Sequence, residues 1–560
     1  MSSDSERRLE TNLGPGAAAS LHLSSTDTDA IGEPNEQSRL LSDDAEGHPP
    51  SRKVKAILVY LVIFLYTCGT ALQIVPRLQR YEEIVCGELY DSGPGKGVSQ
   101  SLDCKGNAVQ EELLLLLGGE KFFGIVPAIL VVIAVILHAD VDVANRYGRG
   151  KVLAFALFGI ALSQAWVIVI CTRIFPLPMY LIWTQCLLQL IGGGPYIVGS
   201  MLHLLALGAK HKRIRDVGES SSKSTAKETG STYSRWLAPW NSDTKSAVLF
   251  KYHSTFIAGT AVGQLASSFS VRKGRNIWYP WAFGEMFVIV GALIALLLLP
   301  ETIVENSTIQ PSSSEAQASD NDGVSPATPK IDARVRYQEV LAKVKSLWKK
   351  TISFVKKNHQ AMLLISMSFL GNLGYEALTM EFLLPYISKR YHQDFSSAGL
   401  FPTFGQMSQF ILFLIGLPIA TYTFQTGFGF SSRATGYGLA LASCFALAFG
   451  ALCLGLAPSV FLAITGHIVM SSGTGFMILV SSLVITSFSP GKATIVYYIT
   501  SILAVIANGL AGLMYSKLIS VGLRHEYGLS YVVAACVLFL ACLITILAMV
   551  SNTPNDDQEI

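Results

Sequence analysis

Residues 331–357 read IDARVRYQEVLAKVKSLWKKTISFVKK and lie at the middle of the chain, between two sets of six apolar segments. Apolar residues recur in this stretch mostly at three- to five-residue steps, which gathers them on one face of a helix. Lysines crowd the remaining surface, and anionic lipid attracts each such cation by about 1 kcal/mol. We therefore expect an amphipathic helix that lies on a membrane surface and joins two halves. The alternative is a solvated helical linker that touches no lipid.

Composition indicates a protein that crosses the membrane many times. The 560 residues are 51% hydrophobic and 14% charged, and the mean hydropathy is +0.43. A formal charge of +3 is too small to suggest a nucleic-acid partner. No cysteine/histidine cluster has the spacing of a metal site, and no GxxxxGK[ST] motif is present, so we expect no metal, no cofactor and no ATP-driven transport.

Twelve segments meet or approach the roughly 20 apolar residues that a membrane-spanning helix needs. The first runs from 56 to 75, the second from 113 to 139 and the seventh from 361 to 386. The predicted fold class is an all-α membrane protein with twelve transmembrane helices in two six-helix halves. The predicted domains are a disordered cytoplasmic tail (1–55), an N-terminal six-helix bundle (56–300), a cytoplasmic linker with the amphipathic helix (301–360), a C-terminal six-helix bundle (361–550) and a cytoplasmic tail (551–560).

The basic loops predict the orientation. Lysines and arginines precede the first helix, lie between helices two and three, and follow helices four and six, so these loops face the cytoplasm. The loop from 76 to 112 is then outside, in an oxidising space where a Cys86–Cys104 disulfide is expected. Two free thiols are the alternative.

The N-terminal tail contains a short motif that bears on location. Residues 36–41, EQSRLL, resemble acidic dileucine sorting signals of endosomal and vacuolar proteins. The alternative is an ordinary disordered tail. We expect a multi-pass protein of the plasma membrane, with a vacuolar or endosomal membrane as the alternative.

The turn after helix two, NRYGRGKVL at 145–153, resembles the GxxxDRxGRR loop of the major facilitator superfamily. Arg146, Gly148 and Arg149 match that motif, whereas Asn145 replaces its aspartate. In that family the aspartate and arginines latch the outward-facing state, so the resemblance implies that these four residues form a conformational-switch loop. A merely positive cytoplasmic turn is the alternative, and it explains the arginines but not the glycine at that spacing.

Other stretches extend the resemblance to that superfamily. Helix six ends in LPET at 299–302, and helix four contains GGGP at 192–195. The stretches YEEIVC (81–86) and YISKRY (386–391) resemble a fungal branch of transporters for small organic molecules, several encoded beside secondary-metabolite genes. The resemblance implies a monomeric secondary transporter in which two halves rock about a midplane site, coupled to protons. Export of a metabolite is the first interpretation, proton-coupled nutrient uptake the second, and a non-transporting sensor the third; an enzyme is not expected.

Ionisable groups inside apolar helices are the candidates for transport chemistry, because a charge in hydrocarbon costs at least about 2.5 to 3.5 kcal/mol. Glu376 lies about fifteen residues, or roughly 22 Å, from the cytoplasmic start of helix seven. Asn372 and Thr379 share its helical face, which we expect to line the central cavity. Glu381 is a further candidate for substrate or proton binding; it is about 140° away around the helix, and a charge at the rim is the alternative.

Helix two adds Glu120, which we expect to stay inside while Lys121 extends to the outer surface. A local ion pair near the interface is the alternative for these two residues. Glu285 near the outer end of helix six is interpreted as an interface residue. Gln73, Tyr497 and Asn508 are further candidates, either to orient a substrate or to hold helices together.

Overall fold

The computed structural model describes residues 52–91, 103–130, 148–203, 205–206, 245–272, 276–299, 356–488, 490–525 and 528–551, with isolated positions 345, 349 and 353. Most of the predicted amphipathic helix lies outside this range. The residues of this predicted helix that the structure does describe are helical and exposed: Lys345, Lys349, Ser353, Lys356 and Lys357.

Twelve helical segments follow one another along the described residues, and we number them α1 to α12. Their bounds are α1 Arg52–Asp91, α2 Asn107–Phe123, α3 Arg149–Thr172, α4 Met179–His203, α5 Lys245–Arg272, α6 Trp278–Leu297, α7a His359–Tyr375 with α7b Met380–Arg390, α8 Phe395–Gly427, α9 Ser432–Leu456, α10 Val460–Ser472 with Gly475–Ser487, α11 Pro490–Arg524, and α12 Leu529–Val550. Among the described residues, eleven helices are long and apolar enough to cross a membrane. The exception is α5, a 28-residue helix with several polar side chains. The prediction of a twelve-helix, all-α membrane protein is confirmed.

A disulfide marks one end of the helical unit. Cys86 near the end of α1 is bonded to Cys104 just before α2, with their Cα atoms 5.3 Å apart. Because successive helices alternate in direction, the turns that follow α3, α5, α7, α9 and α11 lie at this same end. We call it the disulfide end.

Helix α1 is longer than the sequence predicts. The first apolar segment was expected to end at 75, before Pro76, whereas the helix continues through that proline to Asp91. Proline has no N–H to donate to the carbonyl four residues earlier, which is the carbonyl of Leu72. Ser267 of α5 donates its hydroxyl to that carbonyl at 2.8 Å, so the backbone remains satisfied inside the bundle.

The second helix also differs from its predicted range. The segment 113–139 was expected, but α2 begins at Asn107. A turn at Gly124 follows, and helical residues continue to 130, where the described range ends.

Apolar side chains form two main cores. One gathers residues of the C-terminal helices together with those of α1, α2 and α3 near the disulfide end. The other lies among α1, α3, α4 and α6, around Val62, Leu157 and Val288. These cores fix the backbones that present the polar groups described next.

The two halves meet through α5 with α8, through α2 with α11, and through α7b with α1 and α2. Glycines allow the close approach of α2 and α11. A side chain at Gly118 would begin 2.6 Å from the Ser516 hydroxyl, and one at Gly512 would begin 2.6 Å from the Lys121 Cβ atom. Small residues at a helix interface allow such backbone contact within a membrane.

Candidate functional site

Five charged side chains from three helices form a continuous ionic cluster between the halves. Arg77 of α1 lies 3.0 Å from the Glu120 carboxylate of α2 and 3.5 Å from that of Glu381 in α7b. Lys121 of α2 lies 3.1 Å from Glu376 and 3.5 Å from Glu381. We call these five residues the ionic cluster.

A break in α7 brings both of its glutamates to the same lysine. Residues Glu376–Leu378 form a single 3-10 turn, and Thr379 is extended with φ −65° and ψ 149° before α7b starts. The Thr379 hydroxyl donates to the Glu376 carbonyl at 3.0 Å, which satisfies part of the broken backbone. Discontinuous helices of this kind commonly form the binding sites of membrane transporters. The alternative, in which Glu381 is only a charge at the rim, assumed an unbroken helix and is wrong; its carboxylate lies 3.5 Å from both Arg77 and Lys121.

Lys121 does not extend to the outer surface, so that prediction is also wrong. Its ammonium group points between the halves and contacts both α7 glutamates. Arg77 was missed altogether, because the first helix was expected to end before Pro76. An arginine two residues beyond the candidate helix end, followed by more helix-compatible sequence, is the signal that could have indicated a longer α1.

The cluster is buried but not sealed. The Glu376 side chain is 5% exposed, those of Glu120 and Arg77 are 13% and 16% exposed, and that of Lys121 is 29% exposed. Lys121 is therefore the most accessible member of the cluster, whereas Glu376 is shielded.

Charge does not balance within the cluster. Counting only described residues, three carboxylates share two cations, so the fully ionised form carries one surplus negative charge. A buried charge without a partner costs several kcal/mol. The surplus favours an additional positive charge at this position, and a proton is the smallest one that fits.

Tyrosines and an amide from both halves surround the charges. The side chains of Tyr196 in α4 and Asn508 in α11 lie close to each other, so the two halves also approach here. The Tyr515 side chain of α11 is close enough to Glu376 for the two groups to interact electrostatically. Tyr196 is 38% exposed, so open space adjoins this side of the cluster.

Two other predicted residues make contacts within their own half. The Asn372 amide donates to the Ser368 carbonyl one turn earlier, at 2.7 Å. The Gln73 amide donates to the Gln164 side chain at 2.8 Å and lies 3.5 Å from the Glu285 carboxylate. The structure thus joins α1, α3 and α6 through Gln73, and it places the Glu285 carboxylate against α1.

The predicted switch loop is described only in part. Asn145 and Arg146 lie outside the described residues, as does the side chain of Tyr497. Gly148 directly precedes α3 with φ 88°, a backbone conformation that favours glycine. This positive φ explains physically why the motif position is a glycine. Its carbonyl accepts a hydrogen bond from the Val152 N–H at 3.2 Å at the start of α3.

Comparison with known proteins shows that the chain resembles fungal transporters over most of its length. No protein-family model matches the chain. It is 24% identical over 538 residues to the "MFS efflux pump atnC" of Emericella nidulans, covering 93% of each chain. It is 20% identical over 502 residues to the "MFS-type transporter avaK" of Aspergillus versicolor, covering 89% of this chain and 93% of that one. A shorter match, 24% over 352 residues, is to the "Efflux pump ustT" of Aspergillus flavus, and it covers 62% of this chain and 58% of that one.

Solved structures show the same architecture. A D-xylose–proton symporter superposes with a TM-score of 0.52 at 15% identity, covering 88% of this chain and 96% of that one. The nucleoside transporter NupG superposes with a TM-score of 0.50 at 12% identity, covering 88% and 98%. At these identities the likeness shows a shared fold.

Proposed function

We propose that this transporter, which has the major facilitator fold and resembles a fungal branch of the superfamily, exports a small organic molecule in exchange for protons. The export direction is supported by the names of two fungal relatives, both efflux pumps. The chain is a secondary transporter and not an enzyme. Proton coupling and the exporter role are the proposal.

The observation that carries the proposal is the ionic cluster. It joins α1 and α2 of one half to α7 of the other through ion pairs of 3.1 to 3.5 Å. A charged network at this position must rearrange whenever the halves rock, because its members belong to both. Proton binding and conformational change are therefore coupled at one place.

Glu376 is the group that we assign to the proton. It has the least exposed side chain of the cluster, and Lys121, its cationic partner, is shared with Glu381. Burial disfavours the charged form of a carboxyl, whereas an adjacent ammonium group favours it. Separating the halves would withdraw Lys121 from Glu376 and promote proton uptake, and closing them would promote release.

The substrate is proposed to bind beside the cluster, where Tyr196 and Asn508 border open space. Aromatic and amide groups there supply stacking and hydrogen bonds that orient an organic molecule. The disulfide end is proposed to face outward, since the basic loops belong at the other end. The two halves touch at the disulfide end, where Lys105 donates to the Ser388 hydroxyl of α7b, so we propose that the site is reached from the cytoplasm.

Metabolite profiling of a deletion strain tests the export proposal. Loss of the transporter should make one organic product accumulate in cells or disappear from the medium, under conditions in which the wild-type protein is made. A strain that expresses Glu376→Gln at wild-type level should resemble the deletion. Unchanged profiles inside and outside would contradict export, and reduced uptake of an external solute would favour nutrient uptake instead.

A further inference from the structure

Lys105 lies at the disulfide end in a turn that fixes its position. Its neighbour Cys104 is bonded to Cys86 of α1. Asp103 organises the same turn, because its side chain accepts from the Lys105 N–H at 3.2 Å and its carbonyl accepts from the Gly106 N–H at 2.9 Å. The lysine therefore projects from a cross-linked segment of the first half.

The Lys105 ammonium group is anchored first within that half. It lies 2.8 Å and 2.9 Å from the two oxygens of Glu82 in α1. The Gln110 amide donates to the same Glu82 carboxylate at 2.5 Å and to the Cys104 carbonyl at 3.1 Å. Glu82 is buried, so this carboxylate depends on the lysine for charge compensation.

The same lysine reaches the second half through three contacts. Its Nζ atom donates to the Ser388 hydroxyl of α7b at 2.6 Å and lies 4.2 Å from the ring centroid of Phe395 at the start of α8. Lys389 donates its ammonium group to the Lys105 carbonyl. Ser388 donates in turn to the Gln393 carbonyl at 2.6 Å, so its oxygen is oriented to accept from the lysine.

Two stretches noted separately in the sequence thus meet at one side chain. Glu82 belongs to YEEIVC and Ser388 to YISKRY. They are more than 300 residues apart, and Lys105 bridges them across the boundary between the halves. The central ionic cluster explains neither stretch.

We propose that Lys105, positioned by the Cys86–Cys104 disulfide, is a latch that holds the disulfide end of the transporter closed. Opening this end must separate α7b and α8 from α1, and so must withdraw the lysine from Ser388 and Phe395. Reduction of the disulfide would loosen the turn and weaken the latch. This inference concerns the gate alone and does not depend on substrate, direction or proton coupling.

The test measures how often the gate opens, using a reporter thiol in the full-length protein. Ala398 is 1% exposed in the first turn of α8, one turn after Phe395, so Ala398→Cys reports opening. The two accessible native thiols, Cys453 and Cys536, are replaced by serine. Vesicles are exposed at the disulfide end to a membrane-impermeant maleimide, and the labelling rate is followed by mass spectrometry.

Lys105→Met keeps the length of the side chain and removes its charge. Labelling should become roughly tenfold faster, as a loss of about 1.4 kcal/mol in closure free energy would give. The matched control is Glu83→Gln, because Glu83 is adjacent to Glu82 but is paired with Arg80 on the same helix. It should label at the parent rate.

Two further variants make each outcome decisive. Replacing Cys86 and Cys104 by serine should also speed labelling. If this variant is labelled at the rate of the parent protein while Lys105→Met is labelled faster, the proposed role of the disulfide is overturned. A parent rate in Lys105→Met would overturn the latch. Cys444 is fully buried in the second half and reports misfolding if it becomes labelled. If Cys444 becomes labelled in Lys105→Met, the Ser388→Ala variant is tested instead. Faster labelling of Ala398→Cys in Ser388→Ala supports the latch, and labelling at the rate of the parent protein overturns it.

Discussion

The Nζ atom of Lys121 lies 3.1 Å from Oε1 of Glu376, and this ion pair joins α2 of the first half to the broken helix α7 of the second. The two residues are separated by 255 positions in the chain. A rocking motion of the halves changes this distance directly. The pair therefore connects the two halves directly at Glu376, the carboxyl that we propose as the proton carrier.

Glu376→Gln should abolish net transport driven by a pH gradient while leaving substrate exchange intact. Glutamine keeps the shape of the side chain but cannot bind and release a proton. The measurement is uptake into proteoliposomes under a pH gradient, beside counterflow at equal pH, for the compound that profiling identifies. Glu285→Gln is the matched control, since Glu285 is within reach of the Gln73 amide rather than of a cation. Full pH-driven accumulation by Glu376→Gln would reduce Glu376 to a structural contact and make Glu120 or Glu381 the next candidate.

Lys121→Met should destabilise the protein through the charges that it leaves behind. Removing one partner of a buried ion pair typically costs about 3–5 kcal/mol. The double variant Lys121→Met/Glu376→Gln should recover part of this loss, because one uncompensated carboxylate is gone. Thermal unfolding in detergent measures both effects. Arg524→Met is the control, because its ion pair with Glu111 is exposed and should contribute little. Equal melting temperatures for the single and double variants would argue against the coupling.

Gly512→Val should slow counterflow and lower the melting temperature. The new Cβ atom would lie 2.6 Å from the Lys121 Cβ atom, so α2 and α11 would have to separate and shift the lysine away from Glu376. Overpacking of this kind typically costs about 1–3 kcal/mol. Gly438→Val in α9 is the control, because no neighbouring atom lies within 4 Å of its added Cβ. If both variants behave alike, helix propensity rather than close packing explains the result.

Asn145→Asp should restore the acid of the family loop motif and stabilise the outward-facing state. Asn145 lies outside the described residues, so this prediction rests on the motif and on the glycine conformation at position 148. Accessibility of a cysteine introduced in the cytoplasmic vestibule should fall in the aspartate variant. Unchanged labelling would mean that Arg146 and Arg149 act only as determinants of orientation.

Sequence reasoning was sufficient for what depends on local composition. Apolar segments of sufficient length predicted a twelve-helix membrane protein in two halves, because hydrocarbon leaves the backbone few other ways to satisfy its hydrogen bonds. The same argument singled out Glu376, since a carboxyl in an apolar helix needs a partner or a cavity. The spacing of ionisable residues along one helix did not predict which side chains meet. The break at Thr379 turns the Glu381 side chain toward Lys121, which an unbroken helix would not do.

What the sequence by itself determined is therefore the number of helices, the division into halves and the presence of a buried acid. Tertiary structure alone decided the partners of that acid. Pro76 reads as a helix end until Ser267 of α5 supplies the hydrogen bond that the Leu72 carbonyl lacks. Only then does α1 continue far enough to bring Arg77 to Glu120 and Glu381. A hydrogen bond between residues 195 positions apart is a property of packing, and no local pattern in either helix encodes it.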